Sequence, residues 1–269
     1  VKGVAVPPDP PRMAPQQESD PWRELRRLTA ARIGLARTGA SLATAPLLEL
    51  RLAHARARDA VWARFDEEAL RTDLATLGLP ALTVASAVAD RQQYLLRPDL
   101  GRQLAPGAEA ALAARADNRH DAAFVITEGL SARAVERHAS PVLAGVLPPL
   151  RADGWRLAPL VIVRQGRVAI GDAVAAALRA RMVAILIGER PGISAPDSMG
   201  IYLTWEPGPH TTDADRNCIS NIRPEGIDYA AASLKLAYMM RAMRACQTSG
   251  VALKDDSERP SIGAPRSPD

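Results

Sequence analysis

Three short runs of uninterrupted apolar residues lie between positions 122 and 187: AAFVIT (122–127), Leu157 to Val163, and Met182 to Ile187. A strand with one face in water alternates apolar and polar side chains, whereas a continuously apolar strand must be covered on both faces. The runs end abruptly, at Glu128-Gly129-Leu130-Ser131, at Arg164-Gln165-Gly166-Arg167 and at Gly188-Glu189-Arg190-Pro191-Gly192. The first two loops lead into helix-like segments, ARAVERH and an Ala-rich stretch around Gly171 to Ala180. Strand, loop and helix in repeated order predict an α/β fold, with a parallel sheet sandwiched between helices. A further strand is expected at Ile201 to Thr204, and a closing helix from Tyr229 to about Ala245.

Upstream, the pattern is helical. Asp20 is a good N-cap, Pro21 suits the first helical position, and Trp22, Leu25 and Leu28 recur every third residue. Breaks at Gly34, Gly39, Pro46, Gly78, Pro80 and Pro98 divide the segment into several short helices. Residues 1–19 are proline-rich and 255–269 polar, so both are read as disordered tails. The expected organisation is therefore a smaller helical N-terminal region over 20–105 and an α/β domain over 106–254.

Composition removes whole classes of function. At 269 residues the chain is long enough for a sizeable core, and no apolar run approaches a bilayer span. Two cysteines, Cys218 and Cys246, cannot build a disulfide scaffold or a four-thiolate metal site. Without an apolar secretory core near position 1, a cytoplasmic compartment is expected. The net charge is only +4, almost all basic residues are arginine, and only 4% of residues are aromatic. No basic stretch interleaves with aromatics, so nucleic acid is not an expected partner.

Ligands of parallel sheets bind outside the carboxyl ends of the strands. The candidate loops are thus those after Thr127, Val163 and Ile187. No GxGxxG follows a strand and no GxxxxGK[ST] is present, which disfavours a dinucleotide or P-loop nucleotide. His54, His120, His138 and His210 are scattered, and none stands at ligand spacing from another histidine or a cysteine, so no metal site is expected. The segment from Thr211 to Asn221 is read as a polar loop facing the same edge as the others. Its Cys218 is either a nucleophile, with no histidine near in sequence, or an inert thiol.

GLSARAVE (129–136), VRQGRVAIGD (163–172), GERPG (188–192) and DADRNCISNIRPEG (213–226), in this order and spacing, resemble the small subunit of ethanolamine ammonia-lyase. The likeness extends upstream through LAHARARDAV (52–61) and YLLRPDLGRQL (94–104), from about Trp22 to Val251. It implies a Rossmann-like domain behind a helical region, and a hetero-oligomer with a larger barrel subunit. The pair would use adenosylcobalamin to convert ethanolamine to acetaldehyde and ammonia. By motif, the cofactor contacts implied are Val168, Glu189 and Cys218, with the catalytic residues on the large subunit. A DxHxxG motif is absent, which implies base-on cobalamin, keeping its own nucleotide base on cobalt. Some relatives enter a bacterial microcompartment through an amphipathic N-terminal helix. The proline-rich extension here shows none, so free cytoplasmic enzyme is expected at least as much as encapsulation. Asp197, Ser198, Asn217 and Asn221 are weaker candidates for polar contacts. The competing reading is a stand-alone, non-catalytic binding or scaffold protein.

Overall fold

The computed structural model describes residues 22–255 and 257, apart from 30, 117 and 118. Asp20, Pro21 and the 1–19 segment lie outside the described residues, as does most of 255–269. The chain forms two compact units, 1–50 and 51–269. In the first, α1 (Trp22–Arg27) is followed by a small antiparallel pair, β1 (Arg37–Thr38) and β2 (Ser41–Leu42). Arg26 donates from Nε to the Ile33 carbonyl at 3.0 Å and from Nη2 to that of Gly34 at 2.7 Å. These bonds tie the end of α1 to the turn that follows it.

α2 (Thr44–Trp62) precedes α3 (Glu67–Ala75), β3 (Ala81–Ala85), α4 (Arg91–Leu96) and α5 (Ala108–Ala113). Then follow β4 (Ala123–Thr127), α6 (Ala132–Ala152), β5 (Leu160–Arg164), α7 (Ile170–Ala177) and β6 (Met182–Gly188). β7 (Met199–Trp205), β8 (Arg216–Ile222) and α8 (Tyr229–Cys246) complete the fold. One six-stranded sheet runs in the order β3-β5-β4-β6-β7-β8. The three apolar runs are β4, β5 and β6, and all residues of β4 and β6 are buried. Alternate side chains divide between two cores. Phe124, Ile126, Leu160 and Leu186 meet α6 and α8 on one face. Val125, Val161, Val163 and Ile185 meet α7 on the other.

The sheet differs from the expectation in three ways. First, only β3, β5, β4 and β6 are parallel, while β7 and β8 run antiparallel at one edge. Second, β3 lies inside the segment read as helical and pairs with β5 along its length. As a five-residue edge strand with one buried residue, Val84, it carries little apolar signal. Third, the latter half of the segment read as a polar loop, including Cys218, is the outer strand β8. Only Ile219 and Ile222 are buried there, because an edge strand packed on one face leaves its other side chains in water.

The register of β8 carries a bulge. Met199 stands opposite Ile222 and Ile201 opposite Ile219, so β8 has one more residue than β7 over this interval. The extra residue falls at Ser220–Asn221, and Asn221 takes a left-handed φ of 59°. Bulges re-aim the side chains on the strand that carries them.

Candidate functional site

α6 and α7 leave the carboxyl ends of the adjacent strands β4 and β5 toward opposite faces of the sheet. This is the crevice in which open α/β sheets present backbone amides to a ligand. Here the crevice opens into a cavity of about 520 Å³ whose walls include Ala85, Arg91, Glu128 and Gln165, and the chain's own groups bond to one another along it. The Glu128 carboxylate accepts the Gln165 N–H at 2.8 Å, and Thr127 Oγ1 accepts the Gly166 N–H at 3.0 Å. Glu128 is buried, and desolvation pushes its carboxyl above the usual carboxylate range. Arg91 reaches over it, donating from Nη1 to the Gly129 carbonyl at 2.7 Å.

Beside this crevice, a second open cleft of about 390 Å³ lies along the same edge. Its walls include Tyr94, Val168, Ile187, Glu189 and Tyr202. Val168 is half-buried and packs, like Tyr202, against the α7-side core. The loop that presents it is clamped from upstream. The Arg167 guanidinium lies 4.0 Å above the Tyr94 ring, and its Nη2 donates to the Tyr94 carbonyl at 2.8 Å. The Arg167 N–H donates to the Gly101 carbonyl at 2.7 Å. A Cβ on Gly101 would stand 2.7 Å from Arg167 Cγ, so only glycine admits this approach. The Tyr94 hydroxyl donates to the Gly166 carbonyl at 3.2 Å, and burial pushes its pKa up to about 12. The YLLRPDLGRQL segment thus braces the Val168 loop.

Glu189 leaves β6 immediately after Gly188. A Cβ on Gly188 would stand 2.1 Å from the Ser131 carbonyl oxygen and 2.4 Å from that of Glu128, so the β4 and β6 loops meet backbone to backbone. The half-buried Glu189 carboxylate accepts from the Ser220 hydroxyl at 2.5 Å and from the Asn221 N–H at 3.2 Å. Cys218 stands opposite Tyr202 in the β7–β8 register. The Cys218 residue as a whole is exposed, but its thiol lies against Tyr202 and near Glu189. Desolvation of the sulfur and the Glu189 charge raise the thiol pKa against the lowering effect of the Tyr202 hydrogen bond. The Tyr202 phenol is pushed up to about 12, chiefly by burial. A protonated thiol with no imidazole beside it in the cleft wall is not an activated nucleophile.

Val168 and Glu189 therefore share one cleft, and Cys218 adjoins it through Tyr202. The weaker candidates separate. Asn217 donates to the carbonyls of Gly250 and Leu253, at 3.1 and 3.0 Å, and so ties down the segment after α8. Asp197 pairs with Arg137 at 2.7 Å, and Ser198 is buried. Thr211 to Asp215 does not face the cleft edge. β8 starts opposite Thr204 and so at the amino end of β6, which puts that turn on the far edge of the sheet. Sequence reasoning passed over Tyr94 and Tyr202. The signal for Tyr94 was a lone aromatic in a motif already singled out; for Tyr202 it was the polar-capable residue in an otherwise apolar strand.

The fold is an α/β domain with a ligand-sized cleft at the carboxyl edge of its sheet, walled by Tyr94, Val168, Ile187, Tyr202, Arg167, Arg190 and the braced Glu189. The comparisons specify it further. The family model of the ethanolamine ammonia-lyase light chain (EutC) matches residues 19–254. The ethanolamine ammonia-lyase small subunit of Ralstonia nicotianae is 54% identical over 250 residues, covering 92% of this chain and 93% of that one. The small subunit of Azotobacter vinelandii is 52% identical over 242 residues, covering 89% and 90%. That of Pseudomonas paraeruginosa is 50% identical over 252 residues, covering 92% of both. The chain belongs to the ethanolamine ammonia-lyase light-chain family, a family of lyase subunits. No helix among the described residues is long and apolar enough to cross a membrane.

Proposed function

We propose that this chain grips adenosylcobalamin at an interface with the ethanolamine ammonia-lyase large subunit, in an enzyme that converts ethanolamine to acetaldehyde and ammonia. The observation that carries the reading is the cleft that unites Val168 and Glu189, with Cys218 adjoining. Its chemistry suits a large ring with apolar edges and amide fringes. Val168 and Tyr202 offer apolar contact, and the Glu189 carboxylate accepts N–H donors. The small Cys218 side chain on the exposed face of β8 permits close approach.

When bound, adenosylcobalamin supplies radical chemistry by homolysis of its cobalt–carbon bond. This chain's own residues bind, orient and exclude water. The reading assigns the acid–base work to the large subunit, as the family resemblance implies. The reading takes the cofactor as base-on, and the placement of this chain's imidazoles supports it. No histidine lines the cleft. His138 is buried with both ring nitrogens engaged, by Tyr229 and by the Asp197 carbonyl. His120 Nδ1 lies 2.8 Å from the Leu178 carbonyl, at the far edge of the sheet. The reading puts the enzyme in the cytoplasm, free or within a bacterial microcompartment.

The test is Glu189→Ala in the co-expressed two-subunit enzyme, with cobalamin affinity read by absorbance titration. An affinity at least 10-fold weaker, equivalent to about 1.4 kcal/mol, is expected. Unchanged affinity overturns the Glu189 contact.

A further inference from the structure

The reading of Glu189 as a cofactor contact leaves open what aims its carboxylate. The side chain hangs on a loop just past the end of β6, and a free glutamate there would sample several rotamers. Three features outside that loop hold it. Gly200 on β7 forms a floor, where a Cβ would come within 2.9 Å of Glu189 Oε1 and 3.3 Å of its Cγ. The Ser220 hydroxyl donates to Oε1. The Asn221 N–H reaches both oxygens, at 3.3 and 3.2 Å.

The last two donors face Glu189 because of the β8 bulge. In an unbulged strand the ladder would continue past Ile219 with side chains alternating, whereas here two exposed residues in succession, Ser220 and Asn221, precede the buried Ile222. The bulge is itself locked. The Asn221 carbonyl accepts the Ile227 N–H at 2.9 Å, and Arg223 Nε donates to Asn221 Oδ1 at 3.1 Å. A Cβ on Gly226 would stand 2.2 Å from the Asn221 carbonyl oxygen, so the turn closes on a glycine. Arg223 Nη1 also donates to the Ser194 carbonyl at 3.3 Å, linking the bulge to the loop that carries Glu189.

We infer that Ser220 is a positioning residue for Glu189: the β8 bulge presents its hydroxyl to Oε1, which leaves Oε2, bonded by the Asn221 N–H alone, with a lone pair to take an amide N–H of the cofactor. The inference rests on the proposed role of Glu189. It also gives the NCISN segment a second task besides the closeness of Cys218, since the segment aims a carboxylate 31 residues away in sequence.

The experiment uses the co-expressed two-subunit enzyme and hydroxocobalamin as the probe, titrated by absorbance. The variants are Glu189→Ala, Ser220→Ala, Ser220→Thr and the double variant Glu189→Ala/Ser220→Ala. Ser220→Ala is expected to weaken binding about 10- to 20-fold, the lower end of the range for a hydrogen bond to a charged group, because Ser220 is exposed. Ser220→Thr, which keeps the hydroxyl, is expected to stay within about 2-fold of the parent, and the double variant to bind no more weakly than Glu189→Ala alone. A merely structural role for Ser220 would add its loss in the Glu189→Ala background too, and that additivity overturns the inference. If Glu189→Ala weakens binding while Ser220→Ala does not, the positioning role falls and the Glu189 contact stands. If Glu189→Ala binds normally, both fall.

Discussion

Replacing Asp172 by Asn tests the joint that sets the two sides of the cleft against each other. Asp172 lies in the first turn of α7, four residues after Val168, and Arg216 begins β8, two residues before Cys218. Their pairing is bidentate, from Arg216 Nη1 to Asp172 Oδ1 at 2.8 Å and from Nη2 to Oδ2 at 2.6 Å. The side chains are 3% and 13% exposed, so the pair is out of water. Removing one partner of a buried pair costs about 3–5 kcal/mol, because the other charge stays buried without compensation. Three acceptors remain to Arg216: the amide oxygen that the substitution leaves at position 172, Thr204 Oγ1 at 2.9 Å and the Asp213 carboxylate at 3.7 Å. Asp213 is 97% exposed and screened by solvent, which places the expected loss at the lower end, about 3 kcal/mol. For a domain of this size that is a fall in Tm of roughly 6–12 °C. Urea unfolding of the full chain, followed by far-ultraviolet circular dichroism, measures it. A loss below about 1 kcal/mol with an unchanged m-value refutes the account of the pair as a buried joint. Replacing both partners by apolar residues of similar volume, Asp172→Leu with Arg216→Met, should recover most of the loss.

Two further outcomes follow from the packing. Gly188→Ala forces a Cβ into the carbonyls of Ser131 and Glu128, both of them backbone, and should destabilise the chain by more than about 3 kcal/mol, whereas Gly208→Ala, in open space, should change stability by less than about 1 kcal/mol; equal effects in parallel urea titrations contradict the backbone contact. His138 is held neutral, since burial lowers its pKa and the Asp197 carbonyl requires a proton on Nε2, which leaves Nδ1 to accept from the Tyr229 hydroxyl. A depressed folded-state pKa contributes stability that is present above the unfolded value near ~6.5 and is lost as pH falls through the folded value. Stability should therefore drop on acidification below about pH 6.5, and His138→Gln should flatten that part of the profile; an unchanged profile in the variant rules His138 out as its source.

The legible part of the fold was the part buried on both faces. β4, β5 and β6 read as uninterrupted apolar runs because most of their side chains enter one core or the other. β3 and β8 did not: β3 is a five-residue edge strand with only Val84 buried, and β8 sets its two isoleucines among Arg216, Asn217, Cys218, Ser220 and Asn221. The direction of β7 and β8 was hidden for a related reason: the 189–198 connection is too irregular to read as either a crossover helix or a hairpin turn. In the site, the loops bearing Val168 and Glu189 were legible from strand ends and glycines. The residues that brace them were not, because Tyr94, Gly101, Gly200 and Ser220 act through contacts between segments far apart in sequence. The helical reading of the upstream region likewise missed that Tyr94 and Arg91 reach the carboxyl edge of the sheet.

The central claim is that this chain completes a cobalamin-dependent lyase with a larger partner. The direct test is acetaldehyde release from ethanolamine after co-expression with the large subunit and addition of adenosylcobalamin, with each chain alone as control. Activity that requires both chains and the cofactor is the predicted result. Two folded chains that neither associate nor bind cobalamin would contradict the account.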